Sequence, residues 1–322
     1  MQNCLVIGIL VILGCIATSD TSAQWGPEVD VSSGIMFNIV DEHSPRLAVS
    51  GRRVVGAWSF SDTNWRTIWK HSTDGGHSWT SGGALRPLDN NREGIGSLAS
   101  VSVDGDSSFF VATYLGKSLE DGGETFAIFH GIPEDDSLKW SGPDLVMPYL
   151  RAPPGISWTL EMPALACDQG NDNLYLAYTH RKVDPIIHSR SAEIYFMKST
   201  DGTWGSPELA SGQTAEGSRL LLDNEGGLLL FWYDMAGPRM VLRKSLDQGV
   251  TFSEEITVSD VLPNFSIPPA DYEIEGRPNG ASCQPEWAPT FASIAIDRSQ
   301  GPRRGWIYAV WNAPSARWSR LR

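Results

Sequence analysis

The chain has 322 residues, a formal net charge of −13, 41% hydrophobic residues, 32 glycines and 13 tryptophans. So acidic a balance offers a phosphate backbone no electrostatic footprint, which excludes nucleic acid as a partner, and an anionic sugar would need a local cationic pocket. The glycine content and the lack of a sustained amphipathic helical period indicate one large all-β domain.

Residues 5–16 form an apolar run too short to span a bilayer, and Thr21, Ser22, Ala23 follow as a small-residue cleavage pattern. Residues 1–23 therefore read as an export signal, although no Lys or Arg precedes the apolar run. Ile12, Leu13, Gly14, Cys15 also resembles a lipoprotein cleavage box, which would make Cys15 a lipid anchor. Either route implies a secreted or periplasmic protein with residues 24–322 as its folded part and no membrane span. Residues 25–29, beginning Trp25, Gly26, Pro27, read as the tail of a blade with no preceding strands, placed to close a ring.

A cluster of hydroxyl, acid, glycine and aromatic then recurs along the chain. Its full form is Ser72, Asp74, Gly76, Ser78, Trp79, and Ser245, Asp247, Gly249, Thr251, Phe252 keeps every spacing. Two looser copies lie between them: Ser118, Asp121, Gly123, Thr125, Phe126, and Ser199, Asp201, Gly202, Trp204. The aspartate suits a hairpin turn, because its carboxylate can accept nearby backbone N–H groups and glycine supplies positive φ. Strand-like runs precede the two full copies, at 47–49 and 54–58 and again at 220–222 and 228–232, and an apolar residue follows each aromatic. The unit is a four-stranded antiparallel blade with the cluster between its third and fourth strands, and such a period means a stacked repeat architecture. Inner runs begin near Leu47, Leu98, Ala164, Leu220 and Ile294, giving four complete blades and a partial fifth.

These clusters make the chain resemble the sialidase (neuraminidase) superfamily, whose β-propellers carry Asp-box (BNR) repeats; the likeness covers residues 25–318. The stretch from Ala295 through Asp297, Arg298, Arg304 and Tyr308 to Trp311 is also similar to a recurring segment of bacterial members. The family is typically six-bladed, which implies that the sequence is C-terminally incomplete at Arg322; the alternative is a five-bladed ring closed by Trp25.

Propeller sites lie where the loops leading into the innermost strands converge. Glu161 and Glu216 each stand seven residues before an aspartate, Asp168 and Asp223, and so occupy equivalent positions in adjacent blades. Glu93 and Glu286 share a longer spacing to Asp104 and Asp297, and Glu42 precedes Ser50. Such acids can line a funnel for acid/base work, or be a ring of solvated loop acids. The resemblance implies glycoside hydrolysis, exo-sialidase-like, with a tyrosine nucleophile assisted by a glutamate, an aspartate as acid/base and arginines on the sugar carboxylate. Glu216 and Asp62 resemble the glutamate and the aspartate by placement.

The arginine pattern departs from the family. His43 stands where the first arginine would be, Phe231, Trp232, Tyr233, Asp234 fill the stretch of the second, and the tyrosine would fall beyond Arg322. Arg46, Arg239 and Arg277 are the available substitutes, with Glu161 and Trp287 as further substrate contacts and Trp65 and Trp158 as sugar platforms. The competing reading is a noncatalytic propeller that binds a carbohydrate or a protein. No cofactor is expected: the six histidines show no zinc-ligand spacing, and there is no phosphate loop or nucleophile elbow. Beyond residue 23 the cysteines are Cys167 and Cys283, which read as independent thiols or as a disulfide pair.

Overall fold

The computed structural model describes residues 41–310 apart from 62–64, 81, 86–99, 105–106, 117–122, 149, 152–156, 169, 185–188, 213, 238 and 261–292, and contains strands and turns but no helix among them. Accordingly, no described helix is long and apolar enough to cross a membrane. The expected signal segment, Cys15, residues 25–29, Asp62, Glu93, Asp121, Arg277, Cys283, Glu286 and Trp287 all lie outside the described residues.

The strands form consecutive antiparallel sheets. Blade 1 is β1 (Asp41–Ser50), β2 (Arg53–Ser61), β3 (Trp65–Ser72) and β4 (Gly83–Leu85); blade 2 is β5 (Ser100–Val103), β6 (Phe109–Gly116), β7 (Glu124–Glu134) and β8 (Ser137–Leu145). Blade 3 is β9 (Ser157–Cys167), β10 (Leu174–Asp184) and β11 (Ser189–Thr200), with the short β12 (Thr203–Trp204) and β13 (Glu208–Leu209) both on β11. Blade 4 is β14 (Ala215–Leu222), β15 (Leu228–Asp234), β16 (Arg239–Ser245) and β17 (Ile256–Asp260), and a fifth sheet pairs β18 (Ser293–Ile296) with β19 (Ile307–Val310). Sequential sheets, packed through β1, β5, β9, β14 and β18, make the propeller.

Period-two alternation explains why the second strands read as unbroken apolar runs. On β10, Leu176 and Tyr178 enter the core shared with blade 2, while Tyr175 and Ala177 enter the core shared with blade 4. A separate core joins Ala48, Val55 and Ala57 of blade 1 to Phe109, Val111 and Phe129 of blade 2. Trp232 and Leu230 fill the boundary between blades 3 and 4, and burial of such a side chain contributes about 1.5–3 kcal/mol.

The full clusters close the β3–β4 and β16–β17 connections through the same bonds. Ser72 Oγ donates to Asp74 Oδ1 (2.7 Å) and accepts Gly76 N–H (2.8 Å), while Ser78 donates its N–H to Oδ1 and its hydroxyl to Oδ2. Ser245, Asp247, Gly249 and Thr251 repeat this at 2.8, 2.8, 2.8 and 2.6 Å. The Ser78 hydroxyl and N–H, then Ser72, hold Asp74 well below the usual carboxylate range; the Thr251 hydroxyl and N–H, then Ser245, hold Asp247 at about 2. Trp79 donates Nε1–H to Gly76 O (3.1 Å), and Phe252 meets Phe196 of blade 3 edge-on at 5.2 Å.

The looser copies are built differently. Of the first, Ser118 and Asp121 lie outside the described residues, while Thr125 and Phe126 are buried residues at the start of β7, the third strand of blade 2. Asp201 and Gly202, with φ of 50° and 77°, make a two-residue hairpin turn between Ser199 and Trp204. Asp104, Asp168, Asp223 and Asp297 each accept a backbone N–H within the hairpin turn that follows an inner strand.

Candidate functional site

Three inner strands carry a bulge at the same place. Between His43 and Arg46, between Glu161 and Ala164, and between Glu216 and Arg219, two residues oppose one on the second strand. The opposing residues are Trp58, Tyr178 and Trp232, all buried. His43, Glu161 and Glu216 therefore share one register position, as the seven-residue spacing of the two glutamates indicates. The acids lie inside β9 and β14, not in loops before them, because the bulge lets the ladder continue past it. Glu42 pairs with Phe60, one residue out of that register.

The bulge in β14 uses Gly217 at φ 73°, whereas β9 places Met162 at φ 56°. A non-glycine residue held there costs about 1–3 kcal/mol. It is restrained from both sides: Ser218 Oγ of blade 4 donates to Met162 O at 3.0 Å, and Leu160 N–H donates to Glu124 Oε2 of blade 2 at 2.7 Å.

Arg181, on β10, is the group that joins the two glutamates. Its Nη2 lies 2.8 Å from Glu216 Oε1 and 3.3 Å from Glu161 Oε2, with side-chain exposures of 24% for Arg181, 14% for Glu161 and 17% for Glu216. Thr159 donates its hydroxyl to Glu161 Oε1 at 2.8 Å. Glu161 Oε2 and Arg181 Nε are nevertheless buried without a hydrogen-bond partner. Buried polar atoms are rarely left so, and a group that can both donate and accept would satisfy the two.

Arginines lie three residues beyond two of the bulge positions. Arg46 is half-buried, and burial holds it at about 10; Arg219 is buried, donates Nη1–H to Ser218 O at 2.7 Å, and is lowered by burial and then by the charge of Arg46. The two guanidiniums thus feel one another from the inner strands of blades 1 and 4, a concentration of positive charge in a chain of net charge −13. Tyr233 stands opposite Glu216 on β15 and is raised by burial, then by Asp234 and Glu216.

Arg239 sits apart, two strands outward on β16, where its Nε, Nη1 and Nη2 donate to Asp234, Thr257 and Glu255. Trp158 packs its ring against His180 at 4.6 Å, on β9. Cys167 is a buried free thiol, raised to about 12 by burial and then by Asp104, Asp172 and Asp168. No group of three or more His, Cys, Asp or Glu able to hold a metal occurs among the described residues.

Sequence reasoning did not single out Arg181, Arg219, Glu124 or Tyr114. Arg219 had a signal, since His43 to Arg46 and Glu216 to Arg219 have equal spacing. Arg181 and Glu124 had none, because they arrive through cross-strand register and cross-blade contact.

No family model and no curated protein matches the sequence. Among solved structures, a Hadza microbial sialidase aligns with a TM-score of 0.52 at 18% identity, over 69% of this chain and 47% of that one. A Trypanosoma rangeli sialidase in complex with the inhibitor DANA aligns at TM-score 0.47 and 16% identity over 68% and 38%, and a leech intramolecular trans-sialidase at 0.47 and 13% over 69% and 51%. The chain spans about half or less of the length of these structures. Its sheet arrangement and the first of these alignments together give the chain the β-propeller fold of a sialidase.

Proposed function

We propose that the protein is an exported, glycan-directed propeller that acts as a sialidase-like glycoside hydrolase, with its sugar seated at the Glu161, Arg181, Glu216 group. The observation that carries this is the orphaned pair of Glu161 Oε2 and Arg181 Nε. A sugar hydroxyl satisfies both atoms at once, donating to the carboxylate and accepting from the guanidinium. Arg46 and Arg219 supply the local positive charge that an acidic sugar requires, and Glu216, paired opposite Tyr233, is the carboxylate best placed to assist chemistry. Asp62 is the acid/base of this reading; it follows Ser61, which pairs with Asp41 and Trp65 at the end of blade 1 where the inner strand begins. Residues 1–23 would direct export.

Turnover of a methylumbelliferyl sialoside by the full-length protein tests the proposal. Asp62→Asn and Glu216→Gln should each lower kcat by about a hundredfold or more, the scale of lost acid/base assistance. Unchanged turnover in both variants would remove their assignment.

One observation favours a second reading. Arg181 already neutralises both glutamates at 2.8 and 3.3 Å, an arrangement suited to binding a sugar without attacking it. A noncatalytic carbohydrate-binding propeller would bind sialyllactose and release no fluorophore from the sialoside.

A further inference from the structure

The bulge that follows Glu161 is the strained one. Its equivalent in β14 turns on Gly217, but β9 turns on Met162, whose side chain is buried and which no glycine replaces. A backbone in this conformation persists only where its surroundings over-determine it. Three cross-blade bonds do so. Ser218 Oγ holds Met162 O (3.0 Å), Ser100 Oγ accepts Leu165 N–H (2.9 Å), and Glu124 Oε2 accepts Leu160 N–H (2.7 Å).

Glu124 is the ionisable member of that set and the one nearest in sequence contact to Glu161, since Leu160 is the residue before it. It is itself held in place. Its backbone exchanges bonds with Leu150 at 2.8 and 2.9 Å, and its carboxylate lies beside the Tyr114 hydroxyl. Gly116 pairs opposite Glu124, and a Cβ at Gly116 would lie 3.1 Å from that hydroxyl, so the missing side chain makes room for Tyr114. The Tyr114, Glu124, Leu160 chain thus runs from blade 2 into the strand that carries Glu161.

We propose that Glu124 is a positioning residue of the site: by accepting the Leu160 N–H it fixes the left-handed bulge at Met162 and so aims Glu161 at Arg181. This rests on reading the Glu161, Arg181, Glu216 group as the glycan site. Glu124→Gln keeps an amide oxygen for Leu160 and a partner for Tyr114, Glu124→Ala removes both, and Glu124→Asp falls one methylene short of Leu160.

The test uses the full chain, folded by near-UV circular dichroism, with two readouts: hydrogen exchange at the Leu160 amide and affinity for sialyllactose. In Glu124→Ala, Leu160 should exchange about tenfold faster or more and affinity should fall about tenfold or more, because small misplacements in a site are costly. Glu124→Gln should stay within about threefold of wild type on both. Should Glu124→Ala not fold, Glu124→Asp is read by the same criteria. Unchanged Leu160 exchange, faster exchange with unchanged affinity, or equal damage in Glu124→Gln would each overturn the proposal. If the wild type binds no sialyllactose, the glycan reading fails, and Leu160 exchange alone then decides whether Glu124 holds the bulge.

Discussion

Arg181 Nη2 lies 2.8 Å from Glu216 Oε1 across the boundary between blades 3 and 4, and the same nitrogen faces Glu161 within its own blade. One cation therefore balances two largely buried carboxylates. Replacing it with methionine leaves both acids facing each other in a low-dielectric boundary. Arg181→Met should lower stability by about 2–3 kcal/mol at pH 7, the scale of a lost charged hydrogen bond. Urea titrations of the variant and the wild type at pH 7 check this.

Gly76 and Gly249 occupy the same place in the two full clusters, at φ 93° and 89°, but their surroundings differ. A Cβ at Gly76 meets nothing within 4 Å, whereas one at Gly249 would clash with the Phe196 ring. Both alanine variants strain the backbone; only Gly249→Ala also wedges blade 3 from blade 4. Gly249→Ala should be the more destabilising by about 1–3 kcal/mol, as overpacking of a filled core is. Thermal melts of the two variants, compared directly, check the difference.

How far these features were legible in the sequence follows from how local they are. The Asp74 and Asp247 turns are closed by residues at most four apart, so the spacing of serine, acid, glycine and hydroxyl carried the whole construction. Thr125 and Phe126 have the same residue types as the end of a full cluster, but they lie inside the third strand of blade 2, and composition alone does not tell a turn from the start of a strand. Glu161 and Glu216 were legible as a pair because an inner strand of fixed length ends at Asp168 and Asp223. Arg181 was not, because its approach to Glu161 depends on a register that a bulge shifts between Ala177 and Thr179.

His180 is buried against Trp158 and Tyr195, and burial, then Lys182, lowers it to about 4. The unfolded chain, with an ordinary histidine near 6.5, binds the proton more readily. The native state therefore has its full stability above about pH 6.5 and loses it as pH falls toward 4, by about 3 kcal/mol from this residue. His180→Phe keeps a ring for the aromatic stack and should flatten the stability profile across that interval. An unaltered slope between pH 6.5 and 4 in denaturant titrations would show that His180 is not its source.

A crystal structure of the full-length protein soaked with sialyllactose is the most direct measurement of the site. The expected result is a sugar whose hydroxyl lies within hydrogen-bond distance of both Glu161 Oε2 and Arg181 Nε, with its carboxylate toward Arg46 and Arg219. A sugar bound on another face of the propeller, with Arg181 still spanning Glu161 and Glu216 and no ligand atom near its Nε, would contradict it.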